Sequence, residues 1–282
     1  MPNFGIIFNI MESFIAFFET MPTWHKLVWI IFMLLLTWGL EAVTPLFRMS
    51  YNKWRHARTN LLLLVGVILV NLVFGLLTLA AVHQVSEYQI GLFYIGTWSL
   101  LAQFVITFLV LDLVSQYMAH YLLHKVKWMW KLHMVHHSDT RVDATTGTRL
   151  HPGDFLLREC LSLIVILILG APLAFYLFYR FLTIFFTYIT HANIALPLWM
   201  DKGLSIVFIT PNMHKFHHHF ERPWTDTNFG NIFSVWDRLF GTFVYDDPDK
   251  IIYGLDVLDS RTEDDISFQL NIPFNKDIKT DY

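Results

Sequence analysis

The sequence contains little charge and almost no cysteine. Charged residues make up 15% of its 282 residues and apolar residues 55%, whereas an average soluble domain has roughly 25% and 45–50%. So little polar surface argues against a soluble globular enzyme and against a disordered chain. The formal net charge of -3, without any long basic block, argues against a nucleic-acid-binding protein. The single cysteine, Cys160, excludes a disulfide framework and a cysteine-based metal site.

The sequence does contain apolar runs long enough to cross a membrane as helices, which takes about 20 residues. The run 160–190 has 31 residues with Arg180 as its one charge, and as a helix it would measure about 46 Å, too long for a single pass. Gly170, Ala171 and Pro172 lie at its middle, so a helical hairpin is predicted. The other predicted spans are 27–40, 61–82 and 90–111.

These runs predict an all-α fold of polytopic membrane helices, about four to five spans including the hairpin. The segment 4–18 is apolar but contains Glu12, and is predicted to be an interfacial helix. The chain is predicted to be a single domain, 1–282, with its motif core at 112–242. The tail 245–282 holds ten acids and four bases, and is predicted to be a solvated cytosolic extension.

Basic residues in the loops predict the orientation of the chain, because they favour the cytosolic side. The loop 83–89 has no lysine or arginine, whereas the loops on either side of it along the chain are basic. Those two loops are therefore predicted to be cytosolic, and the hairpin returns the chain to the same side. A cytosolic, histidine-rich helical cap follows from this topology. The basic residues are Arg48, Lys53, Arg55 and Arg58 before 61–82, and Lys125, Lys127, Lys131, Arg141 and Arg149 after 90–111.

Histidine is abundant, with 14 copies, and the first cluster has the pattern HxxxH. His120 and His124 stand four residues apart, so on a helix both imidazoles share a face and can bind one ion. Asp112 lies eight residues before His120, on nearly the same strip. Its carboxylate is predicted to accept the outer N–H of a ligating imidazole. The alternative is a helix-end charge that faces cytosolic water.

Two further clusters share the pattern HxxHH. On a helix, the first histidine of such a cluster shares a face with the second and with the third, so one turn offers three nitrogen ligands. Eight histidines in three clusters on one side of the membrane indicate metal binding. The two HxxHH clusters are His133, His136 and His137, and His214, His217 and His218.

The remaining histidines give weaker signals. His191 ends the returning leg of the hairpin, where it is predicted to be a ninth ligand; the alternative is an interfacial side chain that reaches water. His219 would allow a second register of the last cluster, which is not favoured. His151 is predicted to have a structural or supporting role. The histidines with no predicted role are His25, His56 and His83.

Nine imidazoles are too many for one ion and suit two ions with four or five ligands each. Imidazole binds both zinc and iron, but breaking an unactivated C–H bond with O2 needs redox chemistry that zinc lacks. The sequence therefore favours two iron ions, with a lipid as the substrate because the site lies beside the bilayer.

These motifs resemble the fatty acid hydroxylase / sterol desaturase superfamily of integral-membrane di-iron oxygenases. The resemblance implies a helical membrane fold with a cytosolic cap, two irons, O2 as co-substrate and two electrons per turnover. Asn193 and Asp237 lie in matching segments and, with Asp112, are predicted to support the ligands. The segments that carry the resemblance are 120–124, 133–138, 146–152, His191 with Asn193, 214–218, 228–230 and 236–242.

HxxxH favours the hydroxylase branch of this superfamily, and 149–152 favours its bacterial sterol-desaturase-like or alkylglycerol-monooxygenase-like members. The expected reaction is hydroxylation of a lipid C–H bond, with desaturation at the same site as the alternative. A non-catalytic membrane metal or haem carrier is the alternative from another class. The tail shows no haem or flavin motif, so a separate electron-transfer protein or a small reductant is expected. The expected membrane is the bacterial inner membrane, or the ER membrane in a eukaryote.

Overall fold

A computed structural model describes residues 3–259 and 262–280 of the chain. Within these ranges the backbone forms helices and loops with isolated bridges only, which confirms the predicted all-α class. A π-helix, Asp112–Met118, joins α5 to α6, and 3₁₀ turns include Ala144–Thr148 and Ile272–Phe274. The α-helices are α1 Asn3–Glu19, α2 Trp24–Val43, α3 Lys53–Glu87, α4 Leu92–Ile95, α5 Leu100–Leu111, α6 Ala119–Lys125, α7 Lys127–His137, α8 Pro152–Leu169, α9 Leu173–His191, α10 Leu198–Leu204, α11 Pro211–His217, α12 Val235–Leu239 and α13 Ile266–Asn271.

Four helical stretches among the described residues are long and apolar enough to cross a membrane. Their outer faces carry exposed apolar side chains, such as Leu69, Leu72 and Leu76 of α3. A soluble protein would bury such faces, so the chain is an integral membrane protein. The four stretches are Trp24–Val43, Lys53–Ile95, Leu100–Lys125 and Leu173–His191.

The predicted span 90–111 is wrong at its start. The helix that contains 61–82 continues to Glu87, and a loop with α4 separates it from α5. Gly91 has φ +115°, and a Cβ placed there would lie 2.5 Å from the backbone nitrogen of Gly170, so the two glycines allow a close approach between connections. The helix starts again at Leu100, where the Ser99 hydroxyl accepts a hydrogen bond from the Ala102 amide at 3.2 Å.

The predicted hairpin is present as α8 and α9. α8 ends at Gly170, which has φ +69° and ψ +37°, the left-handed conformation that commonly terminates helices. α8 itself contains three buried charged residues, so it is not one of the four stretches that are apolar enough to cross a membrane. The charged residues are Asp154, Arg158 and Glu159.

The acidic tail is docked, not solvated, and this corrects the prediction. Ile272 and Ile278 pack in one buried cluster with Trp130 and Met134 of α7. The Lys131 ammonium donates a hydrogen bond to a tail carbonyl at 2.7 Å. The count of acids suggested solvation, but a few apolar side chains are enough to fix the segment to α7 while most of its charges face outward.

Candidate metal centre

The described histidines form two groups in which the ligand nitrogens lie within 4.8 Å of one another. All nine histidines singled out in the sequence belong to these groups, and all are buried. The first group is His120, His124, His133, His137 and His217, and the second is His136, His191, His214 and His218.

Each HxxHH cluster is divided between the two groups. On α7, His133 and His137 face the first group, whereas His136 faces the second. On α11 and the residue after it, His214 and His218 face the second group and His217 the first. The i,i+4 pair of each cluster thus serves one group and the middle histidine serves the other, so the three nitrogens that one turn offers are divided between the two groups.

Backbone carbonyls fix the protonation of four of the imidazoles. The Nδ1 atom of His136 lies 3.1 Å from the Arg149 carbonyl, and that of His191 lies 2.7 Å from the Thr187 carbonyl. A carbonyl only accepts, so each Nδ1 carries the hydrogen and each Nε2 presents a lone pair. His120 and His217 are held in the same way, by the carbonyls of Phe229 and Thr227.

The lone pairs point at each other across short distances. The Nε2 atoms of His136 and His191, which both carry the hydrogen on Nδ1, are 3.0 Å apart. The Nε2 atom of His214 also lies 3.0 Å from that of His191. Two buried lone pairs at this distance repel unless a cation lies between them, so the donor set fits a metal. Nitrogens at about 2.1 Å from one ion are about 3.0 Å apart at right angles and about 3.4 Å apart in a tetrahedron. The observed spacings are therefore short enough for neighbouring ligands of one metal ion.

The imidazoles that lie outside the membrane spans are kept by burial in the neutral form that can bind a metal. Burial lowers the pKa of His136 to about 3, and, with the neighbouring histidines, lowers the pKa values of His133, His137 and His214 well below 6.5. At neutral pH these rings are uncharged, and the neutral ring is the form that binds a metal.

Two carboxylates that sequence reasoning missed contact the histidines directly. Asp154 at the start of α8 accepts from His133 Nδ1 at 2.6 Å and from Arg158 Nε at 2.9 Å. Asp226 lies 3.3 Å from His124 Nδ1. Burial alone would raise the pKa of Asp226, but hydrogen bonds from His124 and Lys125 outweigh it and lower the pKa to about 2. The sequence did contain a signal for Asp154, because this acid stands four residues before the basic Arg158 in a largely apolar helix.

Asp112 does not contact an imidazole, which corrects its predicted role. Its carboxylate accepts from Trp236 Nε1 at 2.8 Å and from the Phe233 amide at 3.3 Å. The π-helix between Asp112 and His120 explains the difference, because its wider turn breaks the spacing of four that would place both side chains on one face.

Asn193 and Asp237 also act elsewhere than predicted. Asn193 exchanges side-chain hydrogen bonds of 2.7 and 2.9 Å with the backbone of Phe47. Asp237 accepts from the Phe229 amide at 2.7 Å, and the carbonyl of the same Phe229 faces His120. Asp237 thus reaches the site through one intervening residue, whereas Asn193 fixes the loop after α2.

Of the five histidines outside both groups, two bear on predictions made from the sequence. His151 caps α8, where its Nδ1 accepts from the Gly153 amide at 3.0 Å, as its predicted structural role implied. His219 Nδ1 accepts from the Ile252 amide at 3.0 Å, so the second register of the last cluster is not adopted.

A cavity runs from the histidine groups into the membrane-embedded part of the bundle. It holds about 1040 Å³ of empty space, including its opening. Both groups contribute to it, through His120 and His133 on one side and His136, His191 and His214 on the other. A lipid chain entering this space would reach the nitrogen ligands.

Comparison with known proteins bears on the family. Residues 104–242, just under half of the chain, match the fatty acid hydroxylase family, which confirms the resemblance drawn from the motifs. The chain is similar to ornithine lipid hydroxylase OlsE of Rhizobium tropici, 34% identical over 54% of this chain and 44% of that protein. It is also similar to the alkylglycerol monooxygenases of Caenorhabditis elegans (29% identical; 58% of this chain, 33% of that protein) and Homo sapiens (27%; 49% and 30%). The matches thus cover less than half of each relative's length. No solved structure matches the chain.

Proposed function

We propose that the protein is a di-iron, O2-dependent monooxygenase that hydroxylates a C–H bond of a membrane lipid. The observation that carries the proposal is the pair of buried groups of neutral imidazoles, at the end of a cavity that enters the membrane-spanning bundle. The relatives named hydroxylase and monooxygenase favour hydroxylation over desaturation. Bound iron would supply the redox chemistry that O2 and an unactivated C–H bond require.

The residues of this chain would hold one ion in each group and orient its ligands. The Asp154 carboxylate and the carbonyls of Phe229 and Arg149 fix the ring orientation and leave Nε2 free to bind. Ring contacts at the first group, such as Trp130 with His124 at 4.8 Å, keep bulk water away from it. A separate electron-transfer protein or small reductant completes the turnover.

The orientation belongs to the same proposal. The basic loops that flank 83–89 support a cytosolic position for the histidine groups, because lysine and arginine are biased toward that side. The bacterial inner membrane is the proposed location, in keeping with the bacterial relative.

The test is metal analysis followed by a lipid assay. The full chain is purified in detergent and its bound metals are measured by mass spectrometry, with about two irons per chain expected. Reconstituted with O2, a reductant and membrane lipids, it should add one oxygen atom to a lipid. Loss of two hydrogen atoms instead would identify a desaturase. Folded protein that binds no metal would contradict the proposal, and two ions without any lipid product would favour a metal carrier.

A further inference from the structure

Charged side chains lie inside the membrane-embedded part of the molecule, away from the histidines. Lys26 of α2, Asn71 of α3 and Arg180 of α9 line the same cavity as His191. Arg180 precedes His191 by 11 residues on α9, which places it about 16 Å from His191 along the helix axis. Ionisable groups at membrane depth are costly and usually serve a function.

Two of the three cations that line this cavity have acidic partners. Arg180 Nη1 lies 3.1 Å from Glu159 Oε1. Arg158 Nε lies 2.9 Å from Asp154 Oδ1. Each of these pairs is neutral overall, so neither arginine leaves a net charge in the bundle.

Lys26 is the third cation, and its contact is different. Its Nζ donates to the Asn71 side-chain oxygen at 2.8 Å, and no ion pair joins it to a carboxylate of the described residues. The Arg158–Asp154 pair lies beside His133 at the histidine end of the cavity. At the other end, protonated Lys26 and Arg180 share one carboxylate, Glu159, which leaves one positive charge there. A buried ammonium without a counter-ion is unfavourable, so an anion bound beside Lys26 would stabilise its charged form.

Arg180 also has an unused donor in the same place. Its side chain is 8% exposed, and its Nε has no hydrogen-bond partner within the described part of the chain. Buried donors are nearly always satisfied. Together with the two remaining N–H groups of Lys26, it offers donors to an oxygen-bearing group in the cavity.

Apolar side chains line the cavity between the cationic end and the histidines. The cavity therefore has three parts: a charged end inside the membrane, an apolar middle and a metal-binding end. This order matches an amphiphile with an anionic group and an apolar chain. The apolar side chains are Ile30, Leu64, Val67, Ile68, Phe155 and Ile184.

We infer that Lys26 and Arg180 bind a carboxylate or phosphate group of the lipid substrate and so determine which carbon reaches the metal site. The inference rests on the proposed function, whose substrate it narrows to anionic lipids. Because about 16 Å of α9 separates Arg180 from His191, the reacting carbon is well removed from the anionic group.

Equilibrium binding under anaerobic conditions tests this, because no turnover then occurs. The full chain in lipid nanodiscs is titrated with hexadecanoate, hexadecyl phosphate and hexadecanol. We expect at least one anionic probe to bind about tenfold more tightly than the alcohol, and the two anionic probes show which oxygen group is preferred. Equal affinity for all three probes would overturn the inference without any variant.

The variants address Lys26 itself. Lys26→Met should reduce the preference for the anionic probe to less than about twofold, whereas Lys26→Arg should keep it because the charge remains. Lys276→Met, at an exposed lysine of the tail, is the matched control and should bind as the wild type does. A charge preference that persists in folded Lys26→Met would assign the selectivity to other residues and contradict the inference.

The two proposals fail in different ways. Binding that depends on Lys26, in a chain that produces no oxygenated lipid, would support the anion site and contradict the monooxygenase. An oxygenated product from a chain that binds hexadecanol as tightly as the anionic probes would support the monooxygenase and contradict the anion site.

Discussion

The hydrogen on Nδ1 decides how each histidine of the centre can act. Where a carbonyl or carboxylate accepts that hydrogen, as for His133 with Asp154 and His136 with Arg149, the ring is held in place and Nε2 points inward. The acceptors lie outside the histidine motifs, at separations from 4 residues (Thr187 for His191) to 109 residues (Phe229 for His120). A motif can therefore name the ligands but not the groups that orient them.

Replacing Asp154 by asparagine should weaken metal binding. The carboxylate makes the His133 ring a stronger donor to a metal, and an amide does so less. We expect iron affinity to fall about 10- to 100-fold, measured by competition with a chelator of known affinity. Asp249→Asn, at an exposed aspartate, should keep the wild-type affinity. Equal affinities in the two variants would show that Asp154 does not support the ligand.

The division of each HxxHH cluster predicts a partial loss of metal. His214→Ala removes one of the four nitrogens of the second group and leaves the first group complete. We expect bound iron to fall from about two ions to about one. A further His137→Ala substitution should remove the remaining ion. His83→Ala, whose side chain is 71% exposed, should retain both ions. Loss of both ions from His214→Ala alone would mean that the groups act as one site.

At the scale of the elements, α7 depends on the tail for its packing. This helix carries three of the nine histidines, and its side chains Trp130 and Met134 pack in one buried cluster with Ile272. Ser138, directly after α7, donates to Gln269 of α13 at 2.9 Å. The tail therefore supports the metal centre although it contributes no ligand to it.

Ile272→Ala tests this support. Ile272 is fully buried, and removing such a side chain leaves a cavity that costs about 2–5 kcal/mol. The variant should unfold at a lower temperature and release iron earlier on heating, as followed by circular dichroism and metal analysis. Phe274→Ala, at a side chain 73% exposed, should behave as the wild type. A similarly small decrease in unfolding temperature in the two variants would indicate that the tail is not needed to stabilise the metal centre.

The elements also show where sequence reasoning succeeds. The hairpin was predictable because Gly170 and Pro172 interrupt a run too long for one span. The break at 90–99 was not, because these residues are uncharged and the close approach of Gly91 to Gly170 is a tertiary contact. The π-helix at 112–118 was equally hidden, since it leaves the apolar pattern unchanged while it turns Asp112 away from the site.

At the scale of the whole molecule, the nine ligands were predictable because histidine spacing on helices limits which rings can meet. Their sharing between two groups was not predictable, because it depends on how α6, α7, α9 and α11 are placed against one another. Asp154 and Asp226 were missed for the same reason. Local spacing thus determines which histidines belong to the site, and tertiary packing determines how they are divided between the two groups.

The whole-molecule arrangement predicts which residues face each side of the membrane. The loop 83–89 has no basic residue and should face outward, whereas the tail lies against α7 and should face the cytosol. Because Cys160 is the only cysteine, Cys160→Ser provides a background for single labels at Glu87→Cys and Lys276→Cys, both at exposed residues.

An impermeant maleimide should label position 87 in intact spheroplasts and position 276 only after the membrane is permeabilised. Glu87 is the last residue of α3, at the end predicted to face outward, whereas the tail packs on α7, which carries three of the clustered histidines. Labelling of 276 in intact spheroplasts, with 87 protected, would place the histidine groups on the outer side. The electron donor would then have to act from outside the cell. The same pair of labels therefore tests the orientation and the side from which the centre is reduced.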